Sequence, residues 1–216
     1  MTELIVKAVL AYLLGSIVGG LALARLTGGV DIRTLGSGNA GATNALRTLG
    51  KGTALTVLLI DIAKGWIATR LLARAHLPVV GFDPALHAWA VSVCGLAVIL
   101  GHVYPIWHGF RGGKGFATLI GAVAGIHPWL LIPGALTWFA TVIVFGYVGL
   151  ASLLAALAVA VAIAVCPGGR HGPLLSFGVL SALLIVYTHR ANIARMRAGT
   201  ESRAKRLWRF GTRRNS

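Results

Sequence analysis

The chain has 216 residues, 56% of them hydrophobic and only 12% charged, with a mean hydropathy of +0.81. This is more apolar side chain than a soluble domain of that size can cover with polar surface, so the composition excludes a soluble globular protein and points to an all-α, polytopic membrane protein. Twenty Lys and Arg against five Asp and Glu leave a formal charge of +15, which in a membrane protein sets orientation and meets membrane lipid, so nucleic acid is not expected as a partner.

Apolar runs able to form helices occupy 4–26, 53–73, 86–101, 116–132, 134–147, 149–166 and 173–189. Each is close to the roughly 20 residues needed to cross a bilayer core. The first run mimics a signal peptide through Ala22-Leu23-Ala24, but Glu3 offsets Lys7, the basic leader is missing, and further spans follow. In the second run Asp61 and Lys64 lie one turn apart and form a buried ion pair. Breaks are expected at His127-Pro128, at Pro133-Gly134 and at Pro167-Gly168-Gly169. Cys94 and Cys166 lie in or beside apolar runs with no CxxC pair, and read as packing residues.

Orientation follows from the basic residues. Arg25, Arg33, Arg47 and Lys51 follow the first run, Arg111 and Lys114 follow the third, and Arg190, Arg195, Arg197 and six more follow the last, while 75–85 holds no Lys or Arg. This places the N-terminus outside and the C-terminus in the cytoplasm. Residues 116–189 must then cross an even number of times, and four crossings give seven spans. The spans form one domain over 1–202, followed by a basic tail over 203–216 that interleaves Leu207, Trp208 and Phe210 with Lys and Arg as an interfacial helix.

Three polar segments fall on the cytoplasmic face. GSGNAGATN at 36–44 holds three glycines, two asparagines, a serine and a threonine between two apolar stretches. A capped connection, with Ser37 or Asn39 capping a helix that begins near Thr43, accounts for one or two of these residues but not for all, nor for Arg47 one turn on. GHVYPIWHGFRGGKGFAT at 101–118 contains Arg111-Gly112-Gly113-Lys114-Gly115 ahead of a helix from Phe116. Glycine N–H groups and helix N-terminal donors there suit a phosphate cradle; a flexible turn with two cytoplasmic charges is the equal alternative. GxxxxGK[ST] is absent, so it is not a Walker A loop. In THRANIARMRAGTE at 188–201, His189, Asn192 and Arg195 recur every three residues and share one face of the final helix.

Together and in this order, the three segments resemble the motifs of the bacterial PlsY family, the acyl-phosphate-dependent glycerol-3-phosphate acyltransferases, and the likeness runs from the first span to Glu201. The family usually has Lys where this chain has Arg111. The resemblance implies a seven-helix enzyme of the bacterial inner membrane, monomeric, without cofactor or metal. It would transfer a fatty acyl group from acyl phosphate to the sn-1 hydroxyl of glycerol 3-phosphate, giving lysophosphatidic acid and phosphate, at a site facing the cytoplasm. By matched position, Ser37 binds a substrate oxygen, and Gly38, Asn39, Thr43 and Asn44 line or brace the pocket. Arg47, Arg111 and Lys114 hold phosphate beside donors from Gly112, Gly113 and Gly115. His189 and Asn192 orient the acceptor, His102, Thr118 and Arg195 add contacts, and Glu201 ties down the basic residues.

The acceptor's proton has three destinations: His102, His189, or the phosphate, whose second pKa of about 6 allows it to act as base. An acyl-Ser37 intermediate is disfavoured because no His/Asp pairing surrounds it. Among rival enzymes, acyl-CoA acyltransferases of the soluble lineage need His and Asp separated by four residues, and the CDP-alcohol phosphotransferases need a cluster of Asp; neither pattern is present. The alternative of another class is a small transporter of a phosphorylated metabolite, which would also want cationic breaks near helix ends.

Overall fold

A computed structural model describes residues 1–27, 29–77, 84–166 and 172–204, and these are all-helical with no strand. The basic tail beyond Ala204 and most of the loop expected outside the membrane lie outside the described residues.

The first apolar run folds as two helices, α1 (Thr2–Gly15) and α2 (Gly19–Thr27), bent by 55°. Ser16 Oγ donates back to Tyr12 O at 3.0 Å, a bond that competes with the helix ladder and bends it. The groups freed at the bend are met by α4 (Lys51–Trp66): Lys64 Nζ donates to Gly15 O and Ile17 O, and Asp61 Oδ1 accepts from Gly19 N–H. Between these helices α3 (Ala42–Thr48) carries the end of the first polar segment, and α4 continues as a π-helical stretch, Ile67–Leu72.

The remaining helices are α5 (Pro84–Val103), α6 (Phe116–Ile126), α7 (Leu131–Phe145), α8 (Val148–Val165), α9 (Gly172–Thr188) and α10 (Arg190–Arg197). Pro133 and Gly134 do not break the chain as expected; they sit in the first turn of α7, where a missing N–H costs little. The break lies at His127-Pro128, where His127 is extended and ends α6 after 11 residues.

Among the described residues three helices are long and apolar enough to cross a membrane, and five candidates result if each bent pair, α1–α2 and α9–α10, counts as one span. The two other runs expected to span differ in kind: α4 carries buried Asp61 and Lys64, and α6 is short. These two pack on each other at backbone distance. A methyl group at Gly121 would lie 1.9 Å from Ile62 O, and one at Gly65 would lie 2.2 Å from Thr118 O, the small-residue contact by which helices associate where lipid removes the hydrophobic drive.

The main core joins α5, α6, α8 and α9 through residues such as Ile99, Val123, Ile163, Phe177 and Ile185. A second cluster, Val18, Leu21, Ile32, Ala40, Ala45 and Val57, fixes the first polar segment onto α2 and α4. Helix α7 packs on α8 and meets α6 only sparsely, which opens a cleft between the α4–α6 pair and the α7–α8 pair.

Candidate active site

That cleft is a cavity of about 710 Å³. All three polar segments reach it. Ser37, Asn39, Thr43 and Arg47 line it from the first, Lys114 and Gly115 from the second, and His189, Asn192 and Glu201 from the third. Leu55, Leu58, Ile120, Trp138 and Phe139 form an apolar wall on α4, α6 and α7.

The first segment is shaped from within by Asn44. Its Oδ1 accepts from Ser37 N–H at 2.9 Å, and its Nδ2 donates to Ile32 O at 3.1 Å and Leu35 O at 2.9 Å. With its amide spent on backbone and its side chain buried, Asn44 braces the loop and has no donor left for a substrate. Gly38 does not line the cavity; it takes a positive φ of 72°, and its N–H closes a turn on Leu35 O.

In the second segment the expected glycine donors point elsewhere. Gly112 N–H donates to Val103 O and Gly113 N–H to His102 O, each at 3.0 Å. These carbonyls end α5 and lack helical partners, so the two glycines cap α5 and do not cradle phosphate. Arg111 is likewise exposed and outside the cavity lining; its carbonyl accepts from Arg33 Nη1. Thr118 is fully buried on the α4–α6 seam, away from the cavity. Gly115, at φ 84°, makes the turn that starts α6 and does line the cavity.

Lys114 is the cation that the loop delivers. Its ammonium donates to Asn192 Oδ1, and its carbonyl accepts from Thr188 Oγ1. Burial, with the positive charges of Arg195 and Arg47, holds its pKa down at about 8 against the opposing pull of Glu201. Asn192 Nδ2 donates to Glu201 Oε1 at 2.7 Å, and Arg195 Nε donates to Glu201 Oε2 at 2.6 Å. Arg195 therefore acts on the site through Glu201 and does not line the cavity.

His189 Nδ1 lies 2.8 Å from Ile185 O, and since a carbonyl only accepts, Nδ1 carries the proton and the neutral ring keeps its lone pair on Nε2. His102 touches the cavity floor, but its Nδ1 faces Lys64 Nζ at 2.8 Å and Asp61 Oδ1 at 3.3 Å. Its Nε2 abuts the glycine loop: a methyl group at Gly113 would sit 2.1 Å away. Nδ1 is thus engaged by protein, while Nε2 packs against the glycine loop.

The sequence-based reading missed Lys51, Gly149 and Ser152, all of which line the cavity. Lys51 was read only as a cytoplasmic charge. Gly149 was one glycine of an apolar run; its lack of a side chain admits Asn192, whose Nδ2 would be 2.8 Å from a methyl group there.

Residues 5–199 match the family described as Glycerol-3-phosphate acyltransferase. The chain belongs to the glycerol-3-phosphate acyltransferase family. Relatives of that name include one from Geotalea daltonii, 43% identical over 95% of this chain and 100% of the relative, and one from Bordetella pertussis, 45% identical over 90% and 89%. The fold is similar to the crystal structure of PlsY, an integral membrane glycerol 3-phosphate acyltransferase, in its glycerol 3-phosphate form (TM-score 0.82, 36% identity, 93% of this chain and 94% of that one). The form with lysophosphatidic acid has a TM-score of 0.79 at 35% identity, with the same coverage. As an acyltransferase of this family the chain has a suitable cavity, with a cationic end and an apolar wall.

Proposed function

We propose that the protein transfers a fatty acyl group from acyl phosphate to the sn-1 hydroxyl of glycerol 3-phosphate, releasing lysophosphatidic acid and phosphate. The observation that carries this is the continuity of one cavity: Arg47, Lys51 and Lys114 line it together with an apolar wall of α4, α6 and α7. Two phosphate-bearing substrates, one with an acyl chain, need that combination. An acyl phosphate is a mixed anhydride with a good leaving group, so the site has mainly to bring two anions together and offset their repulsion.

Lys114 and Arg47 supply the positive charge, and Ser37 and Asn192 orient oxygens. The acceptor oxygen forms its bond to the acyl carbon while the bond from that carbon to the phosphate oxygen breaks. The hydroxyl proton ends on the departing phosphate, either directly or by way of His189 Nε2, whose lone pair is set by the bond from Nδ1 to Ile185 O. His102 Nδ1 is tied to Lys64 and Asp61, so His189 is the better placed of the two histidines for this role.

The protein acts in the bacterial inner membrane with seven spans, N-terminus outside and this cavity opening to the cytoplasm. The Lys and Arg distribution supports that orientation. It acts as a monomer, as the family resemblance implies. Assay of the purified protein with glycerol 3-phosphate and either acyl phosphate or acyl-CoA tests the donor: turnover is expected with acyl phosphate alone, and equal or faster turnover with acyl-CoA sinks the assignment.

A further inference from the structure

We infer that the buried cluster of Asp61, Lys64 and His102 is a positioning device for the acylation, tying the first polar segment to the loop that carries Lys114. This rests on the function proposed above.

The three side chains are at most 3% exposed and come from the middle of α4 and the end of α5. Lys64 Nζ lies 2.9 Å from Asp61 Oδ1 and 2.8 Å from His102 Nδ1, and reaches Gly15 O and Ile17 O at 2.9 and 2.8 Å. Asp61 Oδ1 also accepts from Gly19 N–H at 3.2 Å. One ion pair thus ends α1, starts α2 and holds the angle between them.

Each end of the cluster continues into the site. On one side α2 rests on the first polar segment, where a methyl group at Gly20 would meet Ala40 O at 2.4 Å. Ser37 and Asn39, which line the cavity, lie within three residues of Ala40. On the other side His102 supports the glycine loop twice, through its carbonyl, which accepts from Gly113 N–H, and through Nε2, which fills the space a side chain at Gly113 would need. Lys114 is the next residue. The cluster therefore couples the two segments from below the cavity.

Stability alone does not account for it. A buried ion pair gains little over apolar residues of the same volume unless every lone pair is met, and Asp61 Oδ2 has no partner among the described residues. What an apolar pair could not supply is the directed grip on Gly15 O, Ile17 O, Gly19 N–H and His102 at once.

The test is a double-mutant cycle between Lys64→Met and Gly113→Ala, read on folded protein in acylation kinetics and in equilibrium binding of glycerol 3-phosphate, with melting temperatures recorded. Each single change is expected to lower kcat/KM for glycerol 3-phosphate by about tenfold or more, with KM rising. The double variant should lose clearly less than the product of the two, because a ring no longer pinned by Lys64 Nζ keeps only its longer contact to Asp61 Oδ1 and can shift away from the new methyl group. Losses that multiply, or a lowered melting temperature with KM unchanged, overturn the proposal.

If Lys64→Met does not fold, His102→Ala takes its place: His102→Ala/Gly113→Ala should be at least as active as Gly113→Ala, and a further loss overturns the coupling. Wild-type protein that binds glycerol 3-phosphate but fails to turn over with acyl phosphate would sink the donor assignment, and the binding cycle would then decide the cluster by itself.

Discussion

Lys114 is held by a relay of bonds, from its ammonium to Asn192 Oδ1 and from Asn192 Nδ2 to Glu201 Oε1. Glu201 also takes up Arg195, so the carboxylate steadies two cations without blocking the cavity. If the Lys114 ammonium holds a substrate phosphate in this half-buried place, Lys114→Ala removes a charge-assisted bond worth roughly 1.5–3 kcal/mol. That corresponds to about 10- to 150-fold in kcat/KM, measured on correctly folded protein. Wild-type kinetics in this variant would show that the phosphate sits elsewhere. The pH profile gives an independent check. With its pKa held at about 8, Lys114 is charged below that pH and neutral above it, so kcat/KM should fall as pH rises through about 8. Lys114→Arg should abolish that limb, since a guanidinium stays charged, while recovering only part of the rate because its wider fork is a poor fit beside Gly113 and Gly115.

At the level of elements, the glycine loop illustrates what a sequence withholds. RGGKG reads equally as a cradle or a turn, because glycine N–H groups serve whichever acceptor the fold presents; here two of them meet the last carbonyls of α5. The bend between α1 and α2 was equally hidden, since its bonding partners sit in α4, over forty residues away. By contrast, the Asp61–Lys64 pair was legible, because their spacing on one helix is local. Asn44 is the element-scale counterpart of Lys114, for it fixes a loop and α3 at once. Asn44→Ala should leave Ile32 O, Leu35 O and Ser37 N–H without that partner, lowering stability by about 1–3 kcal/mol. Because Ser37 and Arg47 flank Asn44 and line the cavity, activity should fall along with the melting temperature. A stable variant with normal KM for glycerol 3-phosphate would mean the loop keeps its shape unaided.

Over the whole molecule, three segments separated by up to 165 residues, from 36 to 201, converge on one cavity. Their shared side could be inferred from charge alone, because Lys and Arg mark the cytoplasmic loops whatever the helices between them do. The apolar wall could not, since nothing in a uniformly apolar run distinguishes lipid-facing residues from cavity-facing ones such as Trp138 and Phe139. Span number turns on α4 and α6, which must both cross for the parity to hold although α6 has 11 residues and α4 carries a buried ion pair. Single cysteines at Thr48, Ala75 and Ser202 test it, with the free Cys94 and Cys166 first replaced by serine. Thr48→Cys and Ser202→Cys should react only with reagents admitted to the cytoplasm, and Ala75→Cys from outside. Opposite sides for residues 48 and 202 would give an odd number of crossings between them. Glu201 and Arg47 could not then line one cavity in the membrane, and the proposed site itself would have to be abandoned.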